Sequence, residues 1–89
     1  MATFTFNAEH FDTMADCMWD GSIARLQKPN KTILEICQGS MAEGKDDHFS
    51  IMIMTPGGIE LHAKEVFSYG ELFDFLDGLT FEYMDFIER

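Results

Sequence analysis

His48-Phe-Ser-Ile-Met-Ile-Met-Thr-Pro-Gly-Gly-Ile-Glu-Leu-His-Ala63 is the stretch that sets the fold class. An isoleucine-rich run ends at Met54, Thr55-Pro-Gly-Gly58 supplies turn residues, and Ile59–Ala63 returns. Two strand-forming runs about a Pro-Gly turn predict a β-hairpin. The two-residue period of a strand puts Ile51 and Ile53 on one face and Ser50, Met52 and Met54 on the other.

Upstream, Thr32-Ile-Leu-Glu-Ile-Cys37 is rich in β-branched residues and reads as a strand. Lys28-Pro-Asn-Lys31 is a turn cluster, so residues 22–27 and 32–38 are expected to pair as a second hairpin. The competing expectation for 22–27 is a helix continuing through Ile23 and Leu26. Residues 39–47 are polar and read as a loop. Further upstream, Asn7 suits an N-cap, and Phe11, Met14, Ala15 and Met18 recur at helical spacing over Ala8 to about Asp20. Gly21 ends or bends that helix. Thr3–Phe6 alternates as a short strand would, or forms the apolar lead-in to the helix.

Downstream, Ser68 with Glu71 three residues on is a capping-box pattern. Leu72, Phe73, Phe75 and Leu76 give the helix its apolar face, and Gly78 suits the position just past its end. Thr80 is placed to cap a second short helix carrying Phe81, Tyr83, Met84, Phe86 and Ile87. The expected fold is therefore α+β: an N-terminal helix, a three- to four-stranded antiparallel sheet, and one or two C-terminal helices on one sheet face. Eighty-nine residues without a repeat or linker make one domain, 1–89.

Charge is the unusual property. Sixteen acids oppose six bases, for a net charge of −10. Such a field repels nucleic acid and anionic membrane and attracts basic surfaces. The acids are unevenly placed. Glu9, Asp12, Asp16 and Asp20 stand 3, 4 and 4 apart, sharing one face of the first helix, and no Lys or Arg occurs in residues 1–24. Glu71, Asp74 and Asp77, then Glu82, Asp85 and Glu88, repeat at intervals of three, so that each triplet lines one side of a helix. Residues 25–64 hold five of the six bases and read as scaffold. Like charges at i,i+4 cost a helix a few tenths of a kcal/mol each, so folding alone favours some bases among them. The plain alternative is a solvated, solubilising face.

In size, charge and order of elements the whole chain resembles small phage-encoded inhibitors of bacterial defence, of the anti-CRISPR or DNA-mimic type. No motif carries the resemblance and it assigns no residue. It implies a viral protein acting in a host cytoplasm on a basic partner.

Other features carry less. Asp46-Asp47-His48, with Glu43 nearby, offers metal donors, but neighbours on a loop rarely converge on one ion, and no zinc or calcium spacing is present. His10, His48 and His62 lack a nucleophile in a known context. Gly57-Gly58 follows a proline in a turn and is no phosphate loop. Cys17 and Cys37 lack metal-type spacing and read as reduced and buried. Residues 1–7 have no basic, apolar leader pattern, which leaves the cytoplasm as the expected compartment. Met52 and Met54, with Trp19, Tyr69 or Tyr83, are candidates for an adhesive patch.

The sequence thus predicts a non-enzymatic interaction protein without cofactor or metal. Its binding residues would be Glu9, Asp12, Asp16, Asp20, Glu71, Asp74, Asp77, Glu82, Asp85 and Glu88. Its partner would be a basic, nucleic-acid-binding protein, with no direct contact to nucleic acid or membrane. The alternatives are an accessory subunit that docks or forms a homodimer through Met and aromatic side chains, and a small metal-binding or enzymatic domain.

Overall fold

The structure, a computed structural model, describes residues 3–38 and 48–88. Its elements run β1 (Phe4–Thr5), α1 (Ala8–Trp19), β2 (Ser22–Gln27), β3 (Ile33–Gln38), β4 (Phe49–Met54), β5 (Glu60–Val66), α2 (Tyr69–Leu76), β6 (Thr80–Phe81) and β7 (Tyr83–Glu88). Five strands form an antiparallel sheet in the order β5-β4-β3-β2-β7, and β1 pairs with β6 in a separate ribbon.

This corrects the expected architecture. Among the described residues the chain is mostly β, with seven strands in two sheets, and the expected second C-terminal helix is not formed. Residues 80–88 instead form β6 and β7. Phe81, Tyr83, Phe86 and Ile87 are poor helix formers that suit a pleated surface. The decisive factor is tertiary: β2 has an edge to fill, and β7 lies along all six of its residues, from Ser22↔Glu88 to Gln27↔Tyr83. The sheet therefore closes on its last strand, with the chain's C-terminal segment beside its first hairpin.

The alternative of a helix running through Ile23 and Leu26 fails at Gly21, whose φ of +93° turns the chain out of α1. β2 and β3 then pair about Lys28–Lys31. The turn is closed by Lys31 N donating to Lys28 O at 2.8 Å and Lys28 N to Thr32 O at 2.9 Å. The β4–β5 hairpin is held at Thr55, whose oxygen atoms accept from Gly58 N and Ile59 N.

Both helices lie on one face of the five-stranded sheet. Ala24, Leu26, Leu34, Ile36, Phe49 and Ile51 point to that side and are buried with Met14 and Met18 of α1 and Leu72 and Leu76 of α2. Each such Leu, Ile, Phe or Met side chain contributes roughly 1.5–3 kcal/mol of hydrophobic free energy. Phe11 packs edge-to-face on Phe73 at 5.2 Å and on Tyr69 at 6.1 Å, which sets the two helices side by side. The β1–β6 ribbon closes one end, where Phe6 N donates to Leu79 O at 2.8 Å and Gly78 N to Phe6 O at 3.0 Å.

A candidate protein-binding surface on the helical layer

Asn7 starts α1, its side-chain oxygen accepting from Glu9 N at 2.9 Å. With Met14 and Met18 committed to the core, the 3.6-residue period turns Glu9, Asp12, Asp16 and Asp20 away from the sheet, and all four are exposed. None of the four makes a salt bridge among the described residues. Trp19 lies within this stripe, 64% exposed.

α2 adds to the same layer. Ser68 Oγ accepts from Glu71 N at 3.1 Å, and Glu71 Oε2 accepts from Phe67 N, one residue before the cap, at 3.2 Å, a variant of the capping box. The Glu71 carboxylate is therefore partly engaged by the fold. Asp74 and Asp77 are exposed, Asp77 at the C-cap with Gly78 in left-handed conformation beyond it. A cleft of about 350 Å³ runs between α2 and β5, lined by Lys64, Glu65, Val66, Glu71, Asp74 and Phe75. Lys64 Nζ sits 5.7 Å from the centre of the Phe75 ring, so a basic group of the chain itself attends the α2 acids.

The last acidic triplet is not brought together. On a strand, an interval of three alternates faces, so Asp85 and Glu88 point to opposite sides of the sheet. Glu88 is exposed at the end of β7. Glu82 lies between β6 and β7, where its Oε2 accepts from Lys31 Nζ at 2.8 Å, and its side chain is mostly buried. Asp85 faces away from the helices. It accepts from the Tyr83 hydroxyl at 2.7 Å and from Phe86 N at 2.8 Å, and stands opposite Arg25. The Tyr83 hydrogen bond, then the Phe86 N–H, and last Arg25 hold the Asp85 carboxyl below the usual carboxylate range. The same bond raises the Tyr83 hydroxyl above its ordinary value. Of the acids read from the sequence, those of α1 and, on α2, Asp74, Asp77 and the engaged Glu71 are exposed on the helical layer. Glu82 and Asp85 fall outside it, and Glu88 is exposed at the end of β7 on its helix side, opposite Ser22.

Sequence reasoning missed the row Glu35–Arg25–Asp85 across β3, β2 and β7. The β2–β3 turn held a signal for half of it, since pairing about Lys28–Lys31 brings Arg25 opposite Glu35. Arg25 Nη2 donates to Glu35 Oε2 at 2.9 Å.

The remaining candidates disperse. His10 stacks on Phe4 at 4.7 Å, His48 stacks on Phe67 at 4.9 Å and bonds Glu65 at 3.1 Å, and His62 is exposed on β5. Glu43, Asp46 and Asp47 lie outside the described residues, as does the expected loop 39–47. Among the described residues, no three His, Cys, Asp or Glu side chains are placed to hold a metal ion. Cys17 and Cys37 are half-buried, less enclosed than expected. Tyr69 packs on Phe49 at 4.9 Å and is partly buried, whereas Trp19 is exposed on α1 and Met52 and Tyr83 are exposed on the helix-free face of the sheet, on β4 and β7. No helix of the described residues is long and apolar enough to cross a membrane.

Comparison with protein-family models, with curated proteins and with solved structures finds no match to this chain.

Proposed function

We propose that this chain is a non-enzymatic interaction protein that binds a basic, nucleic-acid-binding protein through its acidic helical layer. The observation that supports this reading is the α1 stripe. Glu9, Asp12, Asp16 and Asp20 are exposed without an ion-pair partner among the described residues, with Trp19 standing out among them. Arg25 and Lys31 are spent on Glu35 and Glu82 elsewhere in the fold. Successive acids of the stripe at i,i+4 rise by about 6 Å along the helix axis. On a partner, Lys and Arg side chains that hold phosphates would meet carboxylates instead. Trp19 would supply the desolvated anchor that charge alone lacks. The action is occlusion, electrostatic and steric, with no cofactor, as in the phage-encoded inhibitors that the chain resembles in size and charge, though not in the order of elements expected from its sequence; its place of action would be a host cytoplasm.

Affinity capture from a bacterial lysate, with mass spectrometry of the retained proteins, tests this directly. The expected result is a nucleic-acid-binding protein retained at low salt, released at high salt, and lost when Asp12, Asp16 and Asp20 are all changed to Lys. Retention that ignores both salt and these substitutions overturns the reading.

A further inference from the structure

We infer that the open edge of β7 binds an extended, basic segment of a protein partner as a sixth strand of the sheet. The inference rests on the reading of the acidic layer given above and names the form in which its partner binds. In the order β5-β4-β3-β2-β7 the last strand pairs with β2 alone, and no described strand lies beyond it. Every second residue of such an edge turns its N–H and C=O outward, where another chain can pair with them. Sheets commonly blunt an edge with a bulge, a proline, a lysine or a very short strand. β7 has none of these. Its register with β2 is unbroken over six residues, from Ser22↔Glu88 to Gln27↔Tyr83, and Tyr83–Glu88 contains neither Pro nor Lys. The opposite edge is blunted, since β5 is irregular at Ile53/Met54 and carries the exposed Lys64.

The charges beside this edge are mostly acids. α1 packs mainly on β2 and reaches β7. Phe11 faces α2, and α2 lies toward β5, so the opposite flank of α1 overlooks β7. At about 100° per residue from the buried Met14, that flank carries Glu9, Asp16 and Asp20. Glu88, opposite Ser22, stands on the helix side of β7 beside the C-cap Asp20. Asp85 borders the edge on the helix-free side. Of the bases nearby, Arg25 and Lys31 are bonded to Glu35 and Glu82. Lys28 stands at the Tyr83 end, and Arg89 follows Glu88 in the sequence.

A segment alternating basic and apolar residues fits these surroundings. Main-chain pairing with β7 supplies affinity, and the acids select which segment pairs. Met84 and Phe86, half-buried on the helix side of β7, offer apolar contact to the added strand. A second copy of this chain would bring the same acids to the same edge, and nucleic acid has no strand to add and meets a net charge of −10.

The test uses the full chain and a synthetic peptide of about ten residues alternating Lys and Val, a length that spans the strand. A second peptide of the same sequence is N-methylated at every backbone nitrogen, which keeps its charge and removes every donor that could pair with β7. Calorimetry at about 0.1 M salt reads affinity, and amide hydrogen exchange by NMR reads the place. The unmethylated peptide is expected to bind roughly tenfold or more tightly than the methylated one, to slow exchange along β7 and to leave β5 unchanged. Glu88→Lys should weaken it severalfold, and Glu60→Lys, the same change of charge on the other edge, should weaken it less. Should Glu88→Lys fail to fold, the two peptides on the unaltered chain decide. Equal affinity for the two peptides overturns the inference, as does binding of neither, an equal effect of the two substitutions, or binding that leaves β7 exchange unchanged. Protection of β7 that grows with the concentration of the chain alone would assign the edge to a second copy and overturns it too. The acidic layer has its own test: a captured partner lost on changing Asp12, Asp16 and Asp20 to Lys upholds that reading even where β7 stays unprotected.

Discussion

Lys31 Nζ lies 2.8 Å from Glu82 Oε2, so the turn between β2 and β3 is tied to the start of β7 across fifty-one residues of sequence. Glu82 N also donates to Gln27 O at 2.7 Å. Together these contacts lock the register in which the last strand joins the sheet. Lys31 is half exposed, so the ion pair is screened and its coupling should be about 0.2–1 kcal/mol. A double-mutant cycle of Lys31→Met and Glu82→Gln, read by urea unfolding, is expected to return a value in that range and to shrink with added salt.

Asp16 sits in the last turn of α1, where the helix dipole favours cations and where no base occurs. Asp16→Lys should therefore stabilise the fold by about 0.3–1 kcal/mol, from the dipole and from relief of repulsion with Asp12 and Asp20. The same change should weaken partner binding. Gain in one measurement with loss in the other marks an acid kept for something other than folding; loss of both would indicate a structural role.

Trp19 and Met18 are neighbours with opposite fates. Met18 is buried and Trp19 is 64% exposed. Met18→Ala is expected to cost about 2–5 kcal/mol of stability. Trp19→Ala should change stability by no more than about 0.5 kcal/mol. If Trp19 anchors a partner, its removal should cost about 2 kcal/mol of binding free energy, measured by calorimetry.

At Gly21 a Cβ would meet nothing within 4 Å, yet φ is +93°. Gly21→Ala should destabilise by about 1 kcal/mol through backbone strain alone. Thermal unfolding of the variant checks this, and a neutral result would mean that the α1–β2 junction is not held in left-handed conformation.

The Tyr83–Asp85 hydrogen bond has a pH signature on both sides. Because the folded Asp85 value is depressed below 3.8, its contribution is present above that value and fades as pH falls through the folded value. Because the folded Tyr83 value is raised above 10.0, its contribution is present below that value and fades as pH rises through the folded one. Tyr83→Phe removes the first cause of the Asp85 shift, so a carboxyl NMR titration should find Asp85 moved up toward 3.8.

Much of the molecule could be read from local signals because the chemistry is local. Asn7 caps α1, Ser68 and Glu71 box the start of α2, and Lys28–Lys31 and Thr55–Gly58 turn two hairpins. The C-terminal segment could not be read in this way. Phe81, Tyr83, Met84, Phe86 and Ile87 satisfy a helical spacing about as well as a strand's, and short apolar runs do not distinguish the two. Only the open edge of β2 decides, and that edge is built by residues almost sixty positions earlier. The error carried into the site: Glu82, Asp85 and Glu88 line up only on a helix, and on the observed strand they disperse. The α1 stripe survived because its helix was correctly placed.

The central claim is that the acids of α1 exist to meet a basic partner. The most direct measurement is the salt dependence of affinity for the captured partner, compared between the native chain and the Asp12→Lys, Asp16→Lys, Asp20→Lys variant. The account predicts affinity that falls steeply with salt for the native chain, and weak, nearly salt-independent binding for a variant that circular dichroism confirms as folded. Equal affinity and equal salt dependence in the two proteins would contradict it.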